Sequence, residues 1–411
     1  FIAKICARRF HFVSLQSISN HLHMHKDKYV FAQLVEFLNN DKFRRIVAKY
    51  QGDKYVKHFT CWNQLLALMF GQLCNRESLR DLICALDAHH DKCYHMGMGK
   101  NVSKTNLARA NQDRDCRIFE EFAYYVVDEA RSKRATEIFN LGGHVYAFDS
   151  TTIDLCLSVF WWAKFRKHKG GIKVHTLFDV ETQIPAFFHV TEASVHDVNA
   201  MDEIPYESGA YYVFDRAYDD FKRLYHITRI GAFFVIRAKD NIRYKITKWK
   251  RRMPKNVLTD ARIRLIGYYT SKRYPDELRM VRYWDEEQSR EFVFLTNAMS
   301  LSALEIANLY RNRWQVELFF KWLKQHLKIK KFWGTTENAV KIQVYAAMTA
   351  YSLVAIAQHD LKLEISTYEM LQKLSVTLTE KTLLRELFAK PKISNVKDQN
   401  DPNGQLILNF K

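Results

Sequence analysis

Several features that would place this chain quickly are missing. No apolar run approaches the roughly 20 residues of a membrane span, and no signal peptide is evident. There is no Gly-Lys-Ser phosphate loop, so ATP is not expected. Cysteine is sparse, seven in 411 residues, an odd number with no CxxC. That excludes a disulfide framework and suits reduced thiols in a cytoplasm. His89, His90, Cys93 and His95 lie close together, but their spacing matches no standard zinc finger and no second ligand pair follows.

Acidic charge is also short. Asp and Glu number 45 against 63 Lys and Arg, a net charge of +18. The basic residues run along the whole chain rather than along one tail, so the surface favours a polyanion. Nucleic acid is preferred to an anionic membrane because no amphipathic basic helix or lipidation signal appears. With 47% apolar and 14% aromatic residues, the chain can bury a core, and its length suits two or three domains.

The most informative stretch is SALEIANLYRNRWQVELFFKWLKQHLKIKK, Ser302 to Lys331. It has no Gly or Pro and opens with a possible capping box, Ser302 with Glu305, so it reads as one long helix. At about 100° per residue, Glu317, Lys324 and Arg313 fall roughly 20°, 40° and 60° to one side of Tyr310. Lys321 and Lys328 share the stripe, and the rest of the circumference is a wide apolar arc. A solvated salt-bridge face would explain a carboxylate among cations on an ordinary helix. Here the arc implies a buried helix whose polar seam receives an anionic ligand and a metal.

Upstream, residues 28–133 have helical periodicity. Ser103 is placed to cap a short helix carrying Lys104, Asn106, Arg109 and Asn111, side chains that read base edges when such a helix enters a major groove. The alternative is a solvated helix on a bundle. After Gly142-Gly143 the period changes. HVYAFDSTTIDLCLSVF reads as two strands joined by a tight turn at Asp149, and GGIKVHTLFDV as a third strand. Asp149 ends an apolar strand, where a carboxylate is expensive unless ligated or hydrogen-bonded; an Asx turn is the plain alternative, and Asp154 is the nearest rival. In TEASVHDVNAM, Ser194, His196 and Asp197 are capping candidates. YYVF then ends in Asp215 just before a helix, repeating the Asp149 theme.

Between Asp215 and Glu317 lie strand-like runs in which Arg or Lys alternates with apolar residues, a β-rich insertion with a basic face. Its Trp249 and Trp284 either stack on an extruded base or, more commonly for tryptophan in a small sheet, fill its core. TTENAVKIQVYAAMTAYSLVAIAQHDL reads as a buried helix, and the tail after Leu361 as one amphipathic helix, TEKTLLRELFAK, then a polar run with Pro391 and Pro402.

Tyr310-x2-Arg313-x3-Glu317-x6-Lys324 resembles the Tyr-Arg-Glu-Lys signature of the bacterial insertion-sequence transposases numbered as family four. The segments YAFDSTTIDL, KHKGGIKVH, VFDRAYDDFKRL and FVFLTN are similar to corresponding parts of that family, so the resemblance covers about residues 28–360. It implies that Asp149, Asp215 and Glu317 are the catalytic Asp, Asp and Glu and hold two Mg²⁺, with Mn²⁺ substituting. Tyr310, Arg313, Lys324 and Lys321 would contact DNA along the seam, with Lys104 and Arg109 at the element's ends. The implied fold is α/β: a ribonuclease-H-like catalytic core with a β-rich insertion, preceded by an all-α domain.

The expected organisation has an upstream extension at 1–23, before Met24, and a helical DNA-end-binding domain at 24–138. The core takes 139–235 and 295–362, the β-strand insertion 236–294, and a C-terminal helix and tail 363–411. The implied activity is hairpin-forming cut-and-paste transposition on double-stranded DNA by a homodimer without a membrane. The alternatives are a related nuclease without strand transfer and an inactive DNA-binding remnant.

Overall fold

The computed structural model describes residues 27–99, 102–134, 139, 141–155, 158–166, 169–326 and 332–389. The expected extension at 1–23, Met24, Lys328, Pro391 and Pro402 lie outside them.

Among the described residues seven helices come first: α1 (Val30–Val35), α2 (Asn40–Lys49), α3 (Cys61–Leu73), α4 (Leu79–Ala88), α5 (His90–Cys93), α6 (Lys104–Asp113) and α7 (Cys116–Lys133). Side-chain caps define their starts. Thr60 and Asn63 form a capping box on α3, and Ser78 and Ser103 accept backbone N–H groups at the starts of α4 and α6, each such cap contributing about 1 kcal/mol.

Ten strands form one sheet: β1 (Val145–Leu155), β2 (Lys164–Arg166), β3 (Lys169–Asp179), β4 (Ile184–Glu192), β5 (Tyr211–Phe214), β6 (Phe233–Arg237), β7 (Tyr244–Trp249), β8 (Val257–Leu265), β9 (Leu278–Asp285) and β10 (Arg290–Thr296). Their order is β2-β3-β1-β5-β6-β10-β9-β8-β7, with β4 pairing β3. β1, β5 and β6 run parallel, and the other pairings are antiparallel. The fold is thus mixed α/β, and strands β7 to β10 extend the sheet through the pairing of β10 with β6.

β1 corrects the expected hairpin. It is one strand of 11 residues that passes through Asp149 without a turn. Antiparallel pairing with β3 is unbroken from Tyr146 opposite Asp179 to Leu155 opposite Gly170. The β-branched Thr151, Thr152 and Ile153 suit that extended ladder better than a turn.

Strand alternation sorts the core onto the sheet's two faces. Val145, Ala147, Tyr211, Val213 and Val235 join one buried cluster with the N-terminal helices. Their neighbours Tyr146, Phe148, Tyr212, Phe214, Phe234 and Ile236 join the other, with α8 (Phe221–Ile230).

The expected long helix is two: α10 (Ala303–Asn312) and α11 (Trp314–His326), following α9 (Tyr268–Arg273). Arg313 stands at the break, its N–H donating to Tyr310 O at 3.1 Å, three residues back. The break lets α10 pack on β5, β6, β8 and β9 while α11 packs on β1 and β3, so each half follows a different part of the twisted sheet. The buried side of the pair includes Leu309, Val316, Phe319, Phe320 and Leu323, but Trp314 and Leu318 are exposed, so the apolar arc is only partly covered.

α12 (Glu337–Asp360) is the central helix, packed against α1, α3, α6 and α7. By length and composition it could cross a membrane, which corrects the expectation that no apolar segment approaches that length. It lies inside the protein, 94% buried over its apolar window. Beyond it are two helices rather than one, α13 (Thr367–Thr377) and the short α14 (Leu384–Phe388). This segment docks on α1: Val30 N and Phe31 N donate to Glu380 O and Leu378 O at 2.9 and 3.0 Å. Trp249 and Trp284 are 57% and 40% exposed, so neither fills the core.

Candidate active site

Asp149 and Asp215 are brought together by strand register. The parallel pairing of β1 with β5 ends at Phe148 opposite Phe214, and the next residue in each segment is the aspartate, Asp149 within β1 and Asp215 just past the end of β5. Alternation sends both toward the face covered by α10 and α11. Asp154, the rival carboxylate, is exposed and has the opposite parity on β1.

Three residues of the helical seam meet them. Arg313 bridges two carboxylates: Nη1 donates to Asp149 Oδ2 at 2.9 Å and Nη2 to Glu317 Oε1 at 2.5 Å. The Tyr310 hydroxyl donates to Asp215 Oδ1 at 3.2 Å. The other Asp149 oxygen accepts the Ser150 backbone N–H at 2.8 Å. Arg313 Nε–H is buried with no partner, a donor left over for a ligand.

The electrostatics agree with a shared site. Burial pushes the Asp149 carboxyl up to about 6, helped by the nearby Glu317 and Asp215 charges and opposed by Arg313 and the Ser150 N–H. Burial would lower the Arg313 pKa, yet Tyr310, Asp149 and Glu317 outweigh it and hold that pKa above its ordinary value. Burial also raises the Tyr310 phenol, with Asp215 adding to the effect.

Among the described residues no group of three or more His, Cys, Asp or Glu is gathered as a metal cluster. Arg313 is the cation that Asp149 and Glu317 hold. Asp149, Asp215 and Glu317 nonetheless offer hard oxygen donors from three elements, a set suited to Mg²⁺ or Mn²⁺ once the guanidinium moves.

A cavity of about 610 Å³ opens on Asp215, Tyr310, Arg313, Trp314 and Glu317. Arg237 and Arg290 also line it, two cations not singled out in the sequence. Arg237 follows Ile236, the residue paired with Phe214, which places it beside Asp215; the alternation of apolar and basic residues in AFFVIRAKD was its signal. Lys321 is exposed and lines a separate cavity of about 990 Å³ with Lys133, Arg134 and Lys362. Lys324 is half-buried on α11, two turns past Glu317. Lys104, Asn106 and Arg109 are exposed on α6, which packs against α3, α4 and α12. Asn111 cannot join them: it is buried and accepts from Gln64 Nε2 at 2.8 Å. The capping role considered for Ser194, His196 and Asp197 is also absent. His196 precedes a short 3₁₀ helix, Asp197–Glu203, without a side-chain cap, and Asp197 turns instead toward Ser150.

Residues 141–353 match the family described as "Transposase DDE domain", more than half of the sequence, so the chain belongs to that family. Residues 25–99 match a domain of unknown function. The chain is 38% identical over 214 residues to a protein described as transposase y4zB of Sinorhizobium fredii (strain NBRC 101917 / NGR234), covering 51% of this chain and 59% of that one. It is 33% identical over 209 residues to a transposase described for insertion sequence element IS5377 of Geobacillus stearothermophilus, covering 50% and 54%. A third relative, described as a transposase for element IS4SA of Synechocystis sp. (strain ATCC 27184 / PCC 6803 / Kazusa), is 25% identical over 269 residues, covering 63% and 72%. The match thus spans less than two thirds of the length of the first two relatives. A cryo-EM structure of a piggyBac transposase synaptic complex with hairpin DNA aligns with TM-score 0.47 and 11% identity, covering 90% of this chain and 84% of that one.

Proposed function

We propose that this chain is a DNA transposase that binds the terminal inverted repeats of its insertion sequence and moves the element by cut-and-paste strand cleavage and strand transfer. One observation carries the reading: Arg313 and Tyr310 tie Asp149, Glu317 and Asp215 into one site from three separate elements. Family membership and the net charge of +18 support DNA as substrate. The order β4-β3-β1-β5-β6, with its last three strands parallel, supports a ribonuclease-H-like core.

Asp149 and Asp215 would hold two Mg²⁺ ions, or Mn²⁺ in their place, with Glu317 completing one site. When bound, the ions supply activation of the attacking oxygen and stabilisation of the leaving one. The chain's own residues position DNA. Arg313, released from the carboxylates, presents a fork of N–H donors to a terminal phosphate, including the unbonded Nε–H. Tyr310 stays on Asp215 and orients it, while Lys324 and Lys321 add point charges along the strand.

Water adds at the scissile phosphorus and the bond to the 3′ oxygen breaks, leaving a 3′-hydroxyl. That hydroxyl attacks the phosphorus on the opposite strand, forming a hairpin and expelling the flanking strand as a free hydroxyl; a second water opens the hairpin, and the regenerated 3′-hydroxyl attacks a target phosphorus, expelling the target strand's 3′-hydroxyl. Exposed Lys104 and Arg109 would grip the ends of the double-stranded element, in a homodimer on bacterial chromosomal DNA.

The test is cleavage and joining of labelled DNA bearing the element's inverted repeats with Mg²⁺, comparing wild type with Glu317→Ala. Hairpin and strand-transfer products lost in the variant support the reading. Cleavage without joining favours a nuclease, and binding without cleavage an inactive remnant.

A further inference from the structure

Behind Asp149, on the other face of β1, polar side chains converge where the preceding residues of that face, Tyr146 and Phe148, are aromatic and fully buried. Ser150 lies opposite His175 and Thr152 opposite Lys173 across the β1–β3 ladder, so the even-numbered β1 positions share this face with His175 and Lys173. Ser150 Oγ donates to Asp197 Oδ1 at 2.6 Å. Lys173 Nζ lies 3.2 Å from the same oxygen and donates to Val195 O at 2.7 Å. His175 is fully buried, bonded through Nε2 to Thr191 Oγ1 at 3.0 Å, with Nδ1 3.9 Å from Asp197.

Holding a fully buried imidazole and a nearly buried lysine against aromatic rings is expensive, and apolar side chains would fill the same space without that desolvation; Asp197, its side chain 34% exposed, reaches them from the rim. The cluster touches the site at one point. Ser150 is gripped by Asp197 through its hydroxyl, and its backbone N–H donates to Asp149 Oδ1. Asp149 is otherwise held by Arg313. Once Arg313 turns to a phosphate, the Ser150 peptide is what remains to fix the carboxylate.

We propose that Asp197 is a positioning residue for Asp149: it clamps Ser150 so that the Ser150 N–H aims the Asp149 carboxylate, and Lys173 anchors Asp197 in turn. This rests on the reading of Asp149 as a metal-holding catalytic residue. Two segments that the signature helix does not explain, GGIKVH and SVHD, thereby acquire a role. Outer hydrogen-bond partners of ligating carboxylates typically contribute about 10–100-fold to metal affinity or activity.

The experiment measures Mn²⁺ affinity of the full chain by calorimetry, without DNA, alongside cleavage rate, affinity for inverted-repeat DNA and thermal midpoint. The variants are Asp197→Ala, Asp197→Asn, Ser150→Ala, Thr191→Val and Asp149→Asn. We expect Asp197→Ala and Ser150→Ala to weaken Mn²⁺ binding and slow cleavage by roughly 10–100-fold while DNA affinity stays within about twofold. Asp197→Asn, which keeps an acceptor oxygen for Ser150, should recover part of the loss, and Thr191→Val should leave Mn²⁺ affinity unchanged. If Asp149→Asn abolishes Mn²⁺ binding but the Asp197 and Ser150 variants bind as wild type, the positioning role is overturned and the metal site stands. If all five variants lose activity only in step with their thermal midpoints, the cluster is structural and the proposal fails. If wild type binds no Mn²⁺, the metal-site reading falls and takes this one with it.

Discussion

Two arginines in this protein hold carboxylates and differ in how they do it, the Arg279 side chain being 3% exposed and that of Arg313 13%. Arg279, on β9, grips one partner with two parallel bonds, Nε to Asp260 Oδ1 and Nη2 to Oδ2, both 2.7 Å. Its remaining nitrogen, Nη1, donates to the Leu301 and Ala298 carbonyls. Arg313 instead divides itself between Asp149 and Glu317, leaves Nε–H unbonded and borders an open cavity. A fully satisfied bidentate pair has no better place to go. A guanidinium stretched between two carboxylates with a donor to spare is poised to change partners.

The comparison is sharpest under substitution. Arg279→Ala leaves Asp260 buried without its main partner, and unfolding in urea should show a loss of about 3–5 kcal/mol. Cleavage per folded molecule should stay near wild type; a stability change below 1 kcal/mol would erase the contrast. Arg313→Ala should split two readouts in opposite directions. Cleavage should fall by roughly 10²–10³, as for other lost transition-state donors, whereas Mn²⁺ should bind the DNA-free protein more tightly because the carboxylates lose their resident cation. Weaker Mn²⁺ binding in that variant would show that Arg313 organises the carboxylates rather than competing for them.

A third break comes from pH. Asp149 is raised to about 6 in the folded protein, so the folded state binds the extra proton between its unfolded and folded pKa values. Its contribution to stability is fully present below pH about 4 and is lost as pH rises through about 6, on the order of 2–3 kcal/mol. Asp219, raised to about 6 by burial, adds in the same direction. Metal-free wild type should therefore lose stability over that window more steeply than Asp149→Asn, and identical slopes would reject a raised Asp149 carboxyl. The smallest effect belongs to exposed charge. Arg109→Ala should weaken DNA binding and reduce its salt dependence by about one unit per lost phosphate contact, with the thermal midpoint unchanged. An unaltered salt slope would remove α6 from the DNA surface.

Much of the site was legible in the chain. Helical spacing aligned Tyr310, Arg313 and Glu317, and two apolar runs each ending in Asp marked Asp149 and Asp215, because 3.6-residue and two-residue periods are local properties. The capped start of α6 was readable for the same reason, as Ser103 acts on its own helix. What misled were judgements about context. The DSTT segment has turn-forming residues, yet a complete ladder with β3 keeps it extended. Asn111 looked like a base reader and is locked to Gln64. Trp249 and Trp284 looked like core and are exposed.

By itself, then, the sequence determined the helical or strand character of most stretches, the stripe on the signature segment and the three carboxylates that the structure brings together. Only tertiary structure decided that the segment breaks at Arg313, that Arg313 bridges Asp149 and Glu317, and that Asp197 reaches Ser150 from behind the sheet. The physical reason is range. Periodicity and capping act over a few residues, whereas a partner 164 positions away is chosen by how ten strands and the helices above them pack.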